Sequence, residues 1–242
     1  MAQAKKAKKV SADNVSADIK RYFEGLGDNN VIFTNELHLQ MHLSQFLKEE
    51  GYCLLYEYHV PSDQLKGDYP WLKPNSIKRS EMYLDIVVYD GKEYLPIEIK
   101  YKTRSLETNT RVFGDPEKEV ELLRDQGAQD LGMYGFWKDV YRIELVRDTY
   151  KNVKNGIAIF VTNDPYYQEN NPTPDVNHFH FRMTGGRRVN NEELHWVDSE
   201  SKSARTYKSF KIEGNYTIEW NPIGQYGIPR KRADFSYCML II

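Results

Sequence analysis

The chain has 242 residues, of which 40% are hydrophobic and 28% are charged. This length suits one large domain, and the composition is typical of a globular protein. The formal net charge of −2 gives no general attraction to polyanions, so a nucleic-acid site has to be a local patch. Apolar runs are too short for a membrane span, and two cysteines are too few for a disulfide framework. We therefore expect a protein of the reducing cytoplasm that does not bind membranes.

The sequence divides into three parts that differ in composition and in hydrophobic pattern. Residues 1–18 are basic, lack the apolar stretch of a secretory signal, and are predicted to be a disordered tail. Residues 19–164 alternate between helical and strand patterns and form the predicted core. Residues 165–242 are polar and loop-rich with short alternating stretches, which predicts a β-rich extension packed on the same core. Within this extension, Gly214-Asn215 is a candidate turn between two strands.

The first clear helix is the segment TNELHLQMHLSQFLKEEG, which begins at Thr34. Apolar residues recur in it at helical spacing. Thr34 or Asn35 can cap this helix, and Gly51 can end it. Glu36 and Gln40 then fall on a largely inward-facing stripe, which is unusual for a carboxylate.

The elements after this helix predict a mixed α/β sheet with helices on its faces. Residues 52–60 form a strand, and residues 82–90 and 94–102 form a hairpin. The segment 114–146 has a helical pattern that Asp115 and Pro116 can start, and residues 155–164 form an apolar strand. A strand, a helical connection and a second strand favour a parallel pair.

The hairpin has one predicted apolar face and one charged face. Side chains alternate between the two faces of a strand. The apolar face consists of Met82, Leu84, Ile86, Val88, Leu95, Ile97, Ile99 and Tyr101. The opposite face carries Asp85, Glu98 and Lys100.

The turn decides how Asp85 and Glu98 face each other. A two-residue turn, Asp90-Gly91, makes them diagonal neighbours, whereas a four-residue turn ending at Glu93 makes them direct partners. Directly opposed side chains lie roughly 5 Å apart, and diagonal ones also come within reach of a bridging ion. Both registers keep the two acids on one face, and the sequence leaves the choice open.

Two ionised carboxylates so placed repel each other, so a positive charge is expected between Asp85 and Glu98. Mg²⁺ takes hard oxygen ligands and often uses one or two carboxylates, and Mn²⁺ is expected to substitute for it. The main-chain carbonyl of Ile99 can add a ligand. Lys100 can stabilise a metal-bound hydroxide or a developing negative charge, and Glu36 can hold a water or a second ion. The alternative is an ordinary solvent-exposed face with cross-strand ion pairs.

This arrangement resembles the PD-(D/E)XK nuclease superfamily. Asp85 matches the family's first motif acid, on the second core strand. Glu98 and Lys100 match the (D/E)-X-K element on the third strand, and Glu36 matches an acid often found on the first core helix. The order of elements over residues 30–163 is similar to the family's common core.

The resemblance implies a restriction-endonuclease-like fold and a divalent-metal-dependent nuclease that usually acts on DNA. In the family the two acids typically hold the metal, and the lysine helps the attacking water. Leu84 stands where the nominal motif has proline. The Gln-xxx-Tyr element of some members is not assigned, because Tyr134 has no glutamine in register. Residues 165–242 match no part of the family, which also contains inactive members.

Local basic clusters could contact a phosphate backbone. Lys102 and Arg104 follow the hairpin, and Arg187 and Arg188 lie in the segment GGRRV. Other basic residues that could join such a surface are Lys78, Arg79 and Arg230–Arg232.

The sequence therefore predicts a Mg²⁺-dependent endo- or exonuclease, with DNA favoured over RNA as the partner. Two alternatives are an inactive nucleic-acid-binding module and a protein-interaction module on the same fold. A homodimer is compatible with this function, because symmetric dimers are common where both strands are cut.

Overall fold

The computed structural model describes residues 8–29, 31–67, 69, 71 and 81–242. The helices are α1 (Ala12–Asn29), α2 (Glu36–Glu49), α3 (Gln129–Thr149), α4 (Tyr166–Glu169) and α5 (Lys202–Thr206). The strands are β1 (Cys53–Val60), β2 (Met82–Tyr89), β3 (Tyr94–Lys102), β4 (Leu106–Thr110), β5 (Lys118–Leu123), β6 (Ile157–Thr162), β7 (Arg188–Leu194), β8 (Phe210–Thr217), β9 (Trp220–Tyr226) and β10 (Ala233–Ile241). Short 3-10 turns occur at Ser62–Gln64 and Phe179–Phe181.

A six-stranded mixed sheet in the order β1-β2-β3-β6-β10-β9 forms the centre of the protein. β3 and β6 run parallel, and the other neighbouring pairs are antiparallel. Helices α1 and α2 cover one face of the sheet, and α3 covers the other. The predicted mixed α/β sheet with flanking helices is confirmed. No helix within the described ranges has the length and apolar character needed to cross a bilayer.

Helix α2 follows the sequence pattern closely. The side chain of Asn35 caps it by accepting from the N–H of His38 at 2.8 Å. Gly51, with φ +95°, ends it. These local signals fix where the carboxylate of Glu36 emerges, in the first turn of the helix.

The helix predicted over residues 114–146 is wrong in its first part. β4 and β5 form a two-stranded ribbon there, and its turn contains Phe113 and Gly114 with φ +51° and +85°. Asp115 and Pro116 lie beside this turn and start no helix, since α3 begins only at Gln129. Asp and Pro suit turns as well as helix starts, and strand pairing decides between the two.

Helix α3 is buried on nearly all sides. Its apolar residues pack with the sheet and also with β7, β8 and the turn at Phe179–Phe181. A helix in this position is covered from several directions, so its apolar residues are distributed around the helix axis and do not form a single stripe. Gly135 faces Lys100 of β3, and a methyl group there would lie 3.5 Å from the lysine Cε.

Residues 165–242 are continuous with the core. Their last two strands, β9 and β10, belong to the central sheet, so the boundary predicted at residue 164 divides one packed unit. The turn predicted at Gly214-Asn215 is wrong, because β8 runs through both residues. The predicted tail of residues 1–18 also extends too far, since α1 starts at Ala12 and buries Val15. Residues 1–7 lie outside the described residues.

Glu144 of α3 fastens β8 to the core. Its carboxylate is 2% exposed and accepts from the N–H groups of Glu213 (3.0 Å) and Gly214 (2.7 Å) and from the hydroxyl of Tyr216 (2.8 Å). We expect Glu144→Ala to lower the free energy of unfolding by about 2–4 kcal/mol, because the variant leaves these donors without an acceptor. Urea denaturation measures the change. Asp148→Ala, on the exposed side of the same helix, is the control and should change it by less than about 0.5 kcal/mol.

Asp18 of α1 should make stability depend on acid pH. Burial alone would raise the pKa of its carboxyl group, but hydrogen bonds from Lys8, Tyr52 and Arg21 outweigh burial and lower it below 3.8. The stabilisation is therefore complete above the unfolded pKa and is lost as pH falls through the lower folded pKa. The loss of stability in Asp18→Asn should be largest at pH 7 and should shrink towards pH 3.

Urea titrations of wild type and variant across this range test the expectation. Asp13→Asn, an exposed change in the same helix, is the control. A difference between wild type and Asp18→Asn that stays constant with pH would contradict it.

Candidate active site

The hairpin of β2 and β3 has the four-residue turn. Tyr89 pairs with Tyr94, and Ile86 pairs with Ile97. This register places Asp85 opposite Glu98, as direct neighbours across the two strands. The regular ladder ends at Ile86, just before the two acids.

Beyond Ile86 side chains replace the main-chain pairing of β2 and β3. Asp85 Oδ2 accepts from the N–H of Ile99 at 2.8 Å, and Glu98 Oε2 accepts from the N–H of Asp85 at 3.4 Å. The carbonyl of Asp85 accepts from Gln40 Nε2 at 2.8 Å. Buried backbone groups need partners, so these side chains hold the two strands apart without leaving them unsatisfied. The separated stretch forms the floor of the candidate site.

The β2 strand changes faces at Asp85. Met82 and Leu84 pack in the core on the α3 side, whereas Ile86 and Val88 pack on the side of α1 and α2. The prediction of one continuous apolar face is therefore wrong for β2. A local irregularity lies at the same level of the sheet: in β1, Glu57 has φ +42°, and the β1–β2 ladder lacks the pair opposite Asp85.

Glu36 reaches the site from the first turn of α2. Its Oε2 accepts from the N–H of Tyr101 at 2.9 Å, and its Oε1 lies 3.9 Å from Lys100 Nζ. The side chain is 42% exposed, so this carboxylate lies at the open side of the cluster. The structure thus brings all four predicted catalytic residues together. Ile99 also lies here, with its carbonyl 3.4 Å from Lys100 Nζ.

Helix α3 contributes two residues that sequence reasoning missed. Asp139 Oδ2 lies 2.9 Å from Lys100 Nζ, and Arg142 Nη1 lies 3.1 Å from both Asp139 Oδ1 and Glu98 Oε1. Arg142 Nη2 also donates to the carbonyl of Tyr83. The spacing of Asp139 and Arg142 predicts an ion pair within the helix, which exists. The available signal was the position of Asp139 and Arg142 in a helix whose residues are mostly buried.

Burial perturbs the acids strongly. Glu98 is 1% exposed, and burial raises the pKa of its carboxyl group although Arg142 opposes the shift. Burial, together with the charges of Asp139 and Glu36, raises the pKa of Asp85 to about 6. Added positive charge at the site would favour the ionised form of both carboxyl groups.

Lys100 remains protonated. Burial alone would lower the pKa of its ammonium group, but the charges of Asp139, Glu36 and Glu98 outweigh burial and raise it. At neutral pH this side chain is therefore a fixed hydrogen-bond donor with a positive charge.

The cluster supplies oxygen atoms of the kind that a hard divalent cation binds. Among the described residues, Glu36, Glu98 and Asp139 pair with two cationic side chains, Lys100 and Arg142, whereas Asp85 accepts from the backbone N–H of Ile99. Glu98 Oε1 lies near Arg142, yet it makes no hydrogen bond of good geometry to any described residue. Two acids and the Ile99 carbonyl are a donor set that suits Mg²⁺ or Mn²⁺. Among the described residues no group of three or more His, Cys, Asp or Glu side chains is arranged for a metal.

The two predicted phosphate contacts near the hairpin, Lys102 and Arg104, differ in their exposure and in their partners. Lys102 is half-buried at the end of β3. Arg104 is half-exposed, and its Nε forms an ion pair at 3.0 Å with the buried carboxylate of Asp164. The charge of Arg104 is thus largely balanced within the protein.

The other predicted contacts lie on a different element, at the start of β7. The Arg187 side chain is only 6% exposed and donates to Glu192 at 2.7 Å, so it supports the fold and is poorly placed to contact a phosphate. Arg188 is exposed. Arg230–Arg232 are also exposed, next to the β4–β5 ribbon. Lys78 and Arg79 lie outside the described residues.

Comparisons of the chain with family models, curated proteins and solved structures found no match. Conclusions about function therefore depend on the site itself.

Asp85 provides a direct test of metal binding. We expect millimolar Mn²⁺ to raise the melting temperature of the wild-type protein, because a ligand that binds only the folded state stabilises it. In Asp85→Asn this rise should disappear, since a neutral amide binds hard cations weakly. Differential scanning fluorimetry in chelator-treated buffer measures both. Glu93→Gln removes a carboxylate in the turn of the same hairpin and should retain the full shift.

Proposed function

We propose that the protein is a divalent-metal-dependent nuclease with a restriction-endonuclease-like fold, and that it hydrolyses phosphodiester bonds in DNA. The observation that carries the proposal is the cluster at the separation of β2 and β3. There Asp85, Glu98, Lys100 and Glu36 converge, and among the described residues the acids outnumber the cations in contact with them. A solvent-exposed hairpin face would not bury Glu98 to 1% exposure.

In this proposal some residues hold the metal ion and others position those ligands. Asp85, Glu98 and the carbonyl of Ile99 would hold Mg²⁺ or Mn²⁺. The bound ion supplies a water of lowered pKa and positive charge for the phosphodiester oxygens. Arg142 holds Glu98 in place through the contact at 3.1 Å, and Gln40 holds the Asp85 backbone.

Lys100 acts as a donor in this proposal. The charges of Asp139, Glu36 and Glu98 raise the pKa of its ammonium group, which favours the protonated form. Its ammonium group can donate to the attacking water or to a phosphate oxygen and so stabilise charge that develops during the attack. Asp139, at 2.9 Å, and the half-exposed Glu36 fix the direction of this ammonium group.

The proposal predicts metal-dependent cleavage. Wild-type protein should cut DNA when Mg²⁺ or Mn²⁺ is present and should be inactive in chelator. Asp85→Ala should abolish cutting, and Lys100→Met should slow it by on the order of 10²–10³-fold, the cost of losing one stabilising donor. Gel assays on supercoiled plasmid, linear duplex, single-stranded DNA and RNA measure cutting and identify the substrate.

Glu93→Gln is the matched control and should cut at the wild-type rate. Equal activity of wild type, Asp85→Ala and Lys100→Met would refute this site. Salt-sensitive DNA binding without cutting by any form would instead support an inactive nucleic-acid-binding module.

A further inference from the structure

A cavity of about 470 Å³ lies on the α3 side of the sheet, and its lining residues Leu84 and Pro96 are close in sequence to Asp85 and Glu98. It is bounded by the end of β1, the first half of β3 and the C-terminal end of α3. Its lining residues include Tyr58, Gln64, Tyr94, Tyr150, Lys151 and Asn152.

The irregularity at Glu57 creates one wall of the cavity. Tyr56 and Tyr58 would share a face in a regular strand. Because Glu57 has φ +42°, Tyr56 instead lies under Lys48 of α2, with 5.0 Å between the ammonium nitrogen and the ring centre. Tyr58 lines the cavity on the other side of the sheet.

Main-chain hydrogen bonds fix the opposite wall. The N–H of Tyr94 donates to the carbonyl of Asn152 at 2.9 Å, and the N–H of Val153 donates to the carbonyl of Tyr150 at 2.9 Å. The segment after α3 is thus tied to the start of β3. A cavity with walls held in this way is preformed and costs little reorganisation when a ligand binds.

The lining chemistry selects a flat, anionic, hydrogen-bonding ligand. Three tyrosine residues (Tyr58, Tyr94 and Tyr150) line the cavity and offer aromatic rings for stacking, and the Tyr94 ring also stacks on Tyr89 with 4.5 Å between ring centres. Gln64 and Asn152 add carboxamide groups, which can both donate hydrogen bonds to the edge of a base and accept hydrogen bonds from it. Lys151 adds a positive charge. The described lining residues include no carboxylate.

We propose that this cavity binds a nucleobase that carries a phosphate group. The tyrosine rings stack on the base, the carboxamides bind its edge, and Lys151 binds the phosphate. The base can come from a free nucleotide or from a nucleic-acid strand, since both present this chemistry. This site does not depend on the proposed nuclease activity.

Fluorescence quenching of 2-aminopurine, an adenine analogue, tests the cavity. The probes are 2-aminopurine riboside 5′-monophosphate, the same riboside without phosphate, and a single-stranded oligonucleotide with one central 2-aminopurine. Chelator in the buffer prevents cleavage. We expect saturable quenching by the wild-type protein and roughly tenfold weaker binding by Tyr58→Ala, the typical loss for one stacking ring. Lys151→Gln should weaken binding of the monophosphate but not of the riboside.

Tyr56→Ala is the matched control, because Tyr56 is 43% exposed and Tyr58 is 38% exposed on the same strand. It should bind as the wild type does. If thermal melting shows that Tyr58→Ala is unfolded, Asn152→Ala replaces it and should also weaken binding.

The outcomes separate the sources and the two proposals. Binding of the monophosphate without the oligonucleotide supports a free nucleotide, and the reverse supports a base within a strand. Absence of quenching with every probe, or equal affinity of Tyr58→Ala and Tyr56→Ala, overturns the proposal. These binding assays need no metal. Absence of nucleotide binding would therefore not count against the nuclease proposal, and absence of cleavage would not count against the proposed nucleotide site.

Discussion

The structure depends on the separation of β2 from β3 at Asp85. Two neighbouring strands inside a sheet normally satisfy each other's backbone groups, and breaking such a ladder exposes donors and acceptors that cannot remain unpaired. Here the carboxylates of Asp85, Glu98 and Glu36 accept backbone N–H groups, and Gln40 donates to a carbonyl. The side chains that keep the sheet stable at this point are therefore the same ones that give the site its chemistry.

Such a cluster is a poor way to gain stability. Burying several carboxyl groups costs free energy that ion pairs recover only in part, and apolar residues of similar size often serve as well or better. Arg142 and Lys100 offset part of the charge, yet burial still raises the pKa of Asp85 to about 6. The perturbation suits a site that awaits a cation, since strongly shifted pKa values concentrate where chemistry occurs. This argument favours a functional origin for the cluster over a purely structural one.

The sequence predicted those parts of the fold that local signals determine. Helix α2 has its cap at Asn35, and the hairpin of β2 and β3 has its alternating strands and turn, so both were located correctly. The β4–β5 ribbon was missed because strand pairing overrode the helical pattern that begins at Asp115 and Pro116. Asp139 was missed because its pairing with Arg142 within α3 already explained it. Its contact with Lys100 depends on how α3 lies across the sheet, which the spacing of residues does not encode.

The sequence also does not predict the positive φ of Glu57, because residues other than glycine rarely adopt such an angle. Such a conformation costs about 1–3 kcal/mol and persists only where the surroundings impose it. At this position it interrupts the β1–β2 ladder opposite Asp85 and turns Tyr58 to the face that bears the cavity. The irregularity at Glu57 of β1 therefore lies beside two features of the protein. One is the separation of β2 from β3 at Asp85, and the other is the ring of Tyr58 in the cavity. A regular β1–β2 ladder would remove the strain, but it would also return Tyr58 to the face of Tyr56 and so take this ring out of the cavity.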